Sequence, residues 1–272
     1  MNGIVHVISG EARIATRVDG AAHLPWLVLS NSLATDMSLW ADQIPLLTHS
    51  HRVLRYDTRG HGESSAPAGP YDFPMLVADV IAVMDHYGVK RADLMWLSLG
   101  GMTMLGVGLD HPQRVNRIVC ADARADNPPP FVAGWDQRIE AVREKGMQGI
   151  LSGTLDRWFT TANRERRPEL AERASAMILA TAPEGYIGCA QALKTLDYLR
   201  RLPELRAPAL FIGGVEDVAA PAEAMRAMAK AAPQGRYESI PEAAHIANME
   251  QPAAFDGLVG AFLREEESQA AG

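Results

Sequence analysis

Cysteine is scarce: Cys120 and Cys189 are the only two in 272 residues. A disulfide framework is therefore not expected, and a reducing cytoplasm is the simplest compartment. Lysine is scarce as well, 4 residues against 22 arginines, a bias that points to genome composition rather than to function. No run of about 18 apolar residues occurs, so no spanning helix is expected. Met1–Gly20 has no charged-then-apolar leader pattern, because Glu11, Arg13 and Arg17 interrupt it. Positive charge is not in excess either. The net charge of -7 argues against a nucleic-acid-binding surface, which needs a clustered positive field. What is present is ordinary globular usage, 47% hydrophobic and 22% charged, which excludes disordered, collagen-like and fibrous classes. The expected partner is a small molecule, with neither nucleic acid nor membrane; a homo-oligomer is compatible with the sequence.

Apolar runs recur in a regular order. Ile4–Ile8 and Arg13–Val18 read as two opening strands separated by Gly10. Pro25–Leu29, His51–Tyr56, Ala92–Leu97, Val115–Cys120 and Ala209–Ile212 are short continuous apolar runs, the mark of strands buried on both faces. Helical stretches lie between them: Met37–Leu47, Phe73–Tyr87 ended by Gly88, and Met102–Leu109 ended before Pro112. Strands alternating with helices imply crossover units, so the fold class is α/β with a mostly parallel sheet flanked by helices. The alternation breaks once, over residues 125–205, where helical periodicity runs without a convincing strand. It then resumes with a helix from Pro221, a strand at Arg236–Ile240 and a final helix to Leu263. Residues 1–124 and 206–264 are thus expected to form one core domain, 125–205 an inserted helical cap, and 265–272 a flexible tail.

Leu97-Ser98-Leu99-Gly100-Gly101 stands at the end of a predicted strand and the start of a predicted helix. A serine on such a turn presents its hydroxyl above the sheet, with the next backbone N–H aimed where an oxyanion would form. A serine hydroxyl is a poor nucleophile until a base takes its proton. His245, in the small-residue loop Ala243–Asn248 between the last strand and the last helix, is the best candidate. His49 and His51 have a spacing that suggests metal, but no third ligand is near in sequence, so no metal is expected there. The histidine then needs an acid to orient it. Asp217 follows a buried strand and gives the chain order Ser, Asp, His; Asp122, after the neighbouring strand, and the adjacent Glu216 are its rivals. The second oxyanion donor belongs to the loop after the third strand, Ser30–Ala34, which pairs the Leu33 N–H with that of Leu99.

Ser30-Asn31-Ser32-Leu33, Leu54–Gly62 with its Arg59-Gly60-His61-Gly62, and Leu97–Gly101 resemble the α/β-hydrolase superfamily, and more narrowly the 3-oxoadipate enol-lactonases of the β-ketoadipate pathway. Arg157-Trp158-Phe159-Thr160 and Glu184-Gly185-Tyr186 carry the same resemblance, which runs over nearly the whole chain. It implies an α/β-hydrolase fold and hydrolysis of a small carboxylate-bearing lactone in the cytoplasm without metal or cofactor. It also implies a triad of Ser98, Asp217 and His245 with an oxyanion hole at Leu33 and Leu99. Serine at position 98 excludes the aspartate-nucleophile relatives. One residue departs from the pattern. Such proteins carry glycine two residues before the serine, and here that place holds Trp96, whose indole either occupies space beside the active site and reshapes the pocket or pushes a neighbour away and perturbs the turn.

The cap is expected to set specificity. Among its arginines (Arg157, Arg164, Arg166, Arg167, Arg200 and Arg201), Arg157 has the best claim to the pocket, because it adjoins Trp158 and Phe159. A guanidinium can hold a substrate carboxylate through two parallel bonds. Trp96, Arg157 and Trp158 are therefore the expected substrate-binding residues. The first reading is a serine hydrolase of a small ester or lactone. A second keeps the fold but changes the chemistry to carbon–carbon bond hydrolysis, a lyase or an isomerase, with Trp96 shaping the site. A third is a ligand-binding module on the same scaffold, against which stands the complete set of serine, acid and base.

Overall fold

The computed structural model describes residues 3–265. The chain opens with β1 (Val5–Ser9) and β2 (Ala12–Asp19), an antiparallel hairpin turned at Gly10. The strands β3 (Trp26–Ser30), β4 (Arg52–Tyr56), β5 (Ala92–Leu97), β6 (Val115–Ala121), β7 (Ala209–Gly214) and β8 (Gly235–Ile240) follow. They form one eight-stranded sheet in the order β1-β2-β4-β3-β5-β6-β7-β8, antiparallel only where β1 meets β2 and β2 meets β4. The central strands read as continuous apolar runs because both faces are covered. Every residue of β5 and β7 is buried, as are four of the five in β3. A leucine or valine fully buried there contributes about 1.5–3 kcal/mol relative to exposure.

The helices that cover the sheet are α1 (Ile44–Leu47), α2 (Phe73–His86), α3 (Leu99–Asp110), α9 (Ala222–Ala231), α10 (Ala247–Glu250) and α11 (Pro252–Arg264). Asp72 starts α2 by accepting a hydrogen bond from the Met75 N–H, which satisfies one of the orphan donors of the first turn. The stretch Met37–Leu47, expected as one helix, divides into a 3-10 turn at Met37–Trp40 and the single-turn α1. Pro45 in the first turn of α1 explains the division. A proline there has no N–H to donate and its ring would meet the Ala41 carbonyl, so one helix cannot run through it, whereas the first turn of a new helix does not use that bond.

Between β6 and β7 lie α4 (Pro129–Lys145), α5 (Leu151–Trp158), α6 (Thr161–Arg166), α7 (Pro168–Ala180) and α8 (Pro183–Lys194), with no strand among them. The Arg59 loop meets this helical layer. Arg59 makes a buried two-bond pair with Asp79, both bonds at 2.6 Å, and Gly60 lies so close to Gly185 of α8 that a Cβ on either would overlap the other backbone. The tail expected over 265–272 lies outside the described residues except for Glu265. Among the described residues no helix is long and apolar enough to cross a membrane.

Candidate active site

The carboxyl ends of the central strands converge on one cavity. Ser98 follows β5 directly, and its N–H donates to the Ala121 carbonyl, so the end of β6 fixes where the chain leaves the sheet. Its backbone then turns sharply, at φ 55° and ψ -118°, before α3 begins at Leu99. A non-glycine residue at positive φ carries strain that only a well-packed surrounding sustains. Here the surrounding is tight: the Gly100 N–H donates to the Asn31 carbonyl at 3.0 Å, and a Cβ at Gly100 would overlap Ser30 and Asn31. The turn thereby binds the start of α3 to the Ser30–Ala34 loop.

Ser98 Oγ lies 2.9 Å from His245 Nε2, and His245 Nδ1 lies 2.8 Å from Asp217 Oδ2. A carboxylate only accepts, so Nδ1 carries the proton and Nε2 is free to accept the Ser98 O–H. Asp217 is held in turn, its Oδ1 accepting from the Ala219 N–H at 2.7 Å and the Ala220 N–H at 3.1 Å. Both His245 and Asp217 are buried. Of the rivals for the acid, Glu216 is exposed and Asp122 makes no hydrogen bond to the imidazole; its carboxyl accepts from the Gly214 N–H at 2.8 Å and the Ala247 N–H at 3.4 Å. Burial, and after it the charge of Asp217, pushes the Asp122 carboxyl well above the ordinary carboxylate range.

The N–H groups of Leu33 and Leu99 have no hydrogen-bond acceptor among the described residues. Leu99 is the first residue of α3, so its N–H belongs to the positive end of a twelve-residue helix. The cavity, of about 310 Å³, is lined by Ser98 and His245 from the core, by Leu33, and by Trp135, Arg138, Arg157, Trp158 and Tyr186 from the cap. Arg157 is therefore on the wall, with one bond to Thr154 Oγ1 at 3.2 Å. Burial, and then the neighbouring Arg138, pushes its guanidinium down to about 10. Arg138, over the Trp135 ring at 4.2 Å, is also pushed down by burial. Neither has a carboxylate partner among the described residues. Arg164, Arg167, Arg200 and Arg201 instead pair on the surface with Asp156, Glu169, Asp197 and Asp110.

One site expectation changes, and one wall residue was not foreseen. Trp96 is 0% exposed and is absent from the cavity wall. Its ring packs against Gly101, where a Cβ would overlap both the indole and the Ala123 methyl. The indole thus replaces the usual glycine by pointing beneath α3, and the lack of a side chain at Gly101 makes room for it. Arg138 joins the wall without having stood out in the sequence, although its place three residues after Trp135 puts both on one helix face. The residue pattern around it is too mixed to mark which face looks inward. His49 and His51 do not converge: His49 bonds the Pro45 carbonyl, while His51 bonds Asp93.

A family model described as alpha/beta hydrolase fold matches residues 25–252. The 3-oxoadipate enol-lactonase 2 of Acinetobacter baylyi is 35% identical over 245 residues, 90% of this chain and 91% of that one. Among solved structures, the enol-lactonase from Burkholderia xenovorans superposes with a TM-score of 0.93 at 37% identity, covering 96% of this chain and 100% of its own. A hydrolase from Pseudomonas aeruginosa gives a TM-score of 0.92 at 39% identity, covering 96% and 98%.

Proposed function

This chain belongs to the α/β-hydrolase fold family, and on that premise we propose that it is a serine hydrolase of a small carboxylate-bearing ester or lactone, with an enol-lactone such as 3-oxoadipate enol-lactone as the substrate. The observation that carries the reading is the unbroken path from Ser98 Oγ through His245 to Asp217 at 2.9 and 2.8 Å, set on a strained turn under a cavity. Ser98 Oγ attacks the lactone carbonyl while His245 Nε2 takes its proton, and Asp217 stabilises the imidazolium. The charge on the carbonyl oxygen falls to the free N–H groups of Leu33 and Leu99, donors that need no reorganisation when the charge develops. As the intermediate collapses, the ring C–O bond breaks and His245 returns the proton. The leaving group stays attached to the acyl chain, and an enol leaves readily because it becomes a ketone. Water, deprotonated by His245, then releases Ser98.

Arg138 and Arg157 support an anionic substrate. Two half-buried guanidinium groups side by side without carboxylate partners are a costly arrangement, and a substrate carboxylate relieves it. Chemistry other than acyl transfer is an expectation that leans on Trp96 shaping the site, and a buried indole gives that reading no support. The buried free thiols of Cys120 and Cys189 support a reducing, cytoplasmic setting, with a small molecule as the partner. The test is turnover of 3-oxoadipate enol-lactone beside a neutral aryl ester, in wild type and in Ser98→Ala. Hydrolysis of the lactone, lost by about 10⁵-fold in Ser98→Ala, is the expected result; lactone turnover that survives the substitution overturns the reading.

A further inference from the structure

The cap and the loop that carries His245 meet at one buried carboxylate. Glu250, the last residue of α10, is 1% exposed. Its Oε1 accepts from the Thr160 N–H and from Asn163 Nδ2, both at 2.8 Å, and its Oε2 accepts from the Ala244 N–H at 2.5 Å. Asn163 Nδ2 also reaches the Glu242 carbonyl at 2.9 Å, and the Ile246 N–H donates to the Trp158 carbonyl at 3.2 Å. The amides immediately before and after His245 are thus both tied to the same corner of the cap, residues 158–163. That corner also contributes Trp158 to the cavity wall. The loop's own side chains add little, since Ala243 and Ala244 have no side-chain polar atoms; its other anchors are backbone ones, the Ala243 carbonyl accepting from the Glu216 N–H at 2.9 Å and the Glu242 carbonyl from Gln251 Nε2 at 3.0 Å.

We propose that Glu250 is a positioning residue for His245, locking the base's loop to the cap so that the imidazole and the substrate wall keep one relative geometry. The proposal rests on the reading of Ser98, His245 and Asp217 as a catalytic triad. A carboxylate suits the place for a physical reason: three N–H donors converge on it, and it offers only acceptors. An amide at 250 turns one arm into a donor facing a donor, leaving an N–H without a partner in a buried site. The mismatch is passed to the imidazole, which must stay within hydrogen-bond reach of Ser98.

The experiment compares Glu250→Gln and Asn163→Ala with wild type, using Asp93→Ala as a variant destabilised at the far end of β5. Three quantities are read: kcat and KM on the lactone or ester that wild type turns over, the rate at which a fluorophosphonate probe labels Ser98, and the downfield proton signal of His245 Nδ1–H. For Glu250→Gln we expect kcat and the labelling rate to fall together by about 10- to 100-fold, KM to change by less than about 3-fold, and the proton signal to broaden. Asn163→Ala, which removes two bonds without setting a donor against a donor, should slow labelling in the same direction by about 3- to 10-fold, and it keeps the test alive if Glu250→Gln fails to fold. Asp93→Ala should melt earlier and label at the wild-type rate. Folded Glu250→Gln or Asn163→Ala protein that labels and turns over like wild type overturns the positioning role and leaves the triad standing; wild-type protein that the probe does not label at Ser98 overturns the triad reading itself.

Discussion

Strand β5 has a hydroxyl–imidazole–carboxylate chain at each end. Past its carboxyl end lie Ser98, His245 and Asp217; at its amino end Ser50 Oγ bonds His51 Nδ1 at 2.8 Å, and His51 Nε2 bonds Asp93 Oδ2 at 3.1 Å. Asp93 and Ser98 are five residues apart, about 16 Å along an extended strand. The residue types are identical and the bond lengths nearly so. Everything around them differs. Ser98 sits at positive φ before a helix, beside two amides without acceptors and under a cavity closed by arginines. Ser50 lies exposed in a surface turn next to its own histidine, with no positive φ. A proton path alone is a common way to satisfy a buried histidine. Charge stabilisation at a place where substrate fits is what separates a nucleophile from a structural hydroxyl.

The contrast can be broken most forcefully at the two carboxylates. Asp217→Asn should lower kcat by about 10⁴-fold, because the amide favours the wrong imidazole tautomer, while Asp93→Asn leaves kcat within about 2-fold of wild type. Equal losses in the two variants would erase the distinction. Stability should divide the other way: Asp93→Ala strands a buried imidazole and is expected to cost about 2–3 kcal/mol in chemical denaturation, with full activity in the protein that remains folded.

Smaller effects sharpen the picture at the carboxyl end. Arg138→Met and Arg157→Met should each reduce kcat/KM for a carboxylate-bearing substrate by about 10- to 100-fold, the worth of a bond to a charged group, and leave a neutral ester nearly unaffected. Equal effects on both substrates would mean that the arginines only shape the cap. The smallest expected signal is a pH dependence. Burial, and then the charge of Asp217, raises the Asp122 carboxyl above its ordinary value of 3.8. The folded protein therefore keeps a proton that the unfolded chain has released, and stability falls as pH rises from 3.8 through the raised value. An amide in place of this carboxyl does not titrate, so the Tm of Asp122→Asn relative to wild type should move in the variant's favour from about pH 4 to pH 8. A pH-independent difference would contradict the assignment.

Much of this could be read from residue order. Strands buried on both faces announce themselves as apolar runs, so β3 to β7 were locatable, and a serine at a strand-to-helix junction with Asp and His downstream outlines the path to Asp217. What could not be read depends on neighbours distant in the chain. Trp96 points away from the cavity because Gly101 leaves a hollow beneath α3, and a departure from a motif does not reveal the direction of a side chain. Arg138 needs the rotation of α4, and that helix's mixed pattern does not disclose it. Glu250 is hidden more deeply: its partners, Thr160, Asn163 and Ala244, come from the cap and from the histidine loop, and only the fold brings them to one carboxylate. Alternative acids were similarly undecidable in sequence, since Asp122 and Asp217 both follow strand ends and only one meets the imidazole.

The central claim is that surroundings, and not the hydroxyl–imidazole–carboxylate chain alone, make Ser98 the nucleophile. Peptide mapping by mass spectrometry after treatment with a fluorophosphonate probe tests it directly. A single adduct on Ser98, with Ser50 unmodified at the same exposure, is the predicted result. An adduct on Ser50 at a comparable rate, or none on Ser98 in folded protein, would contradict it.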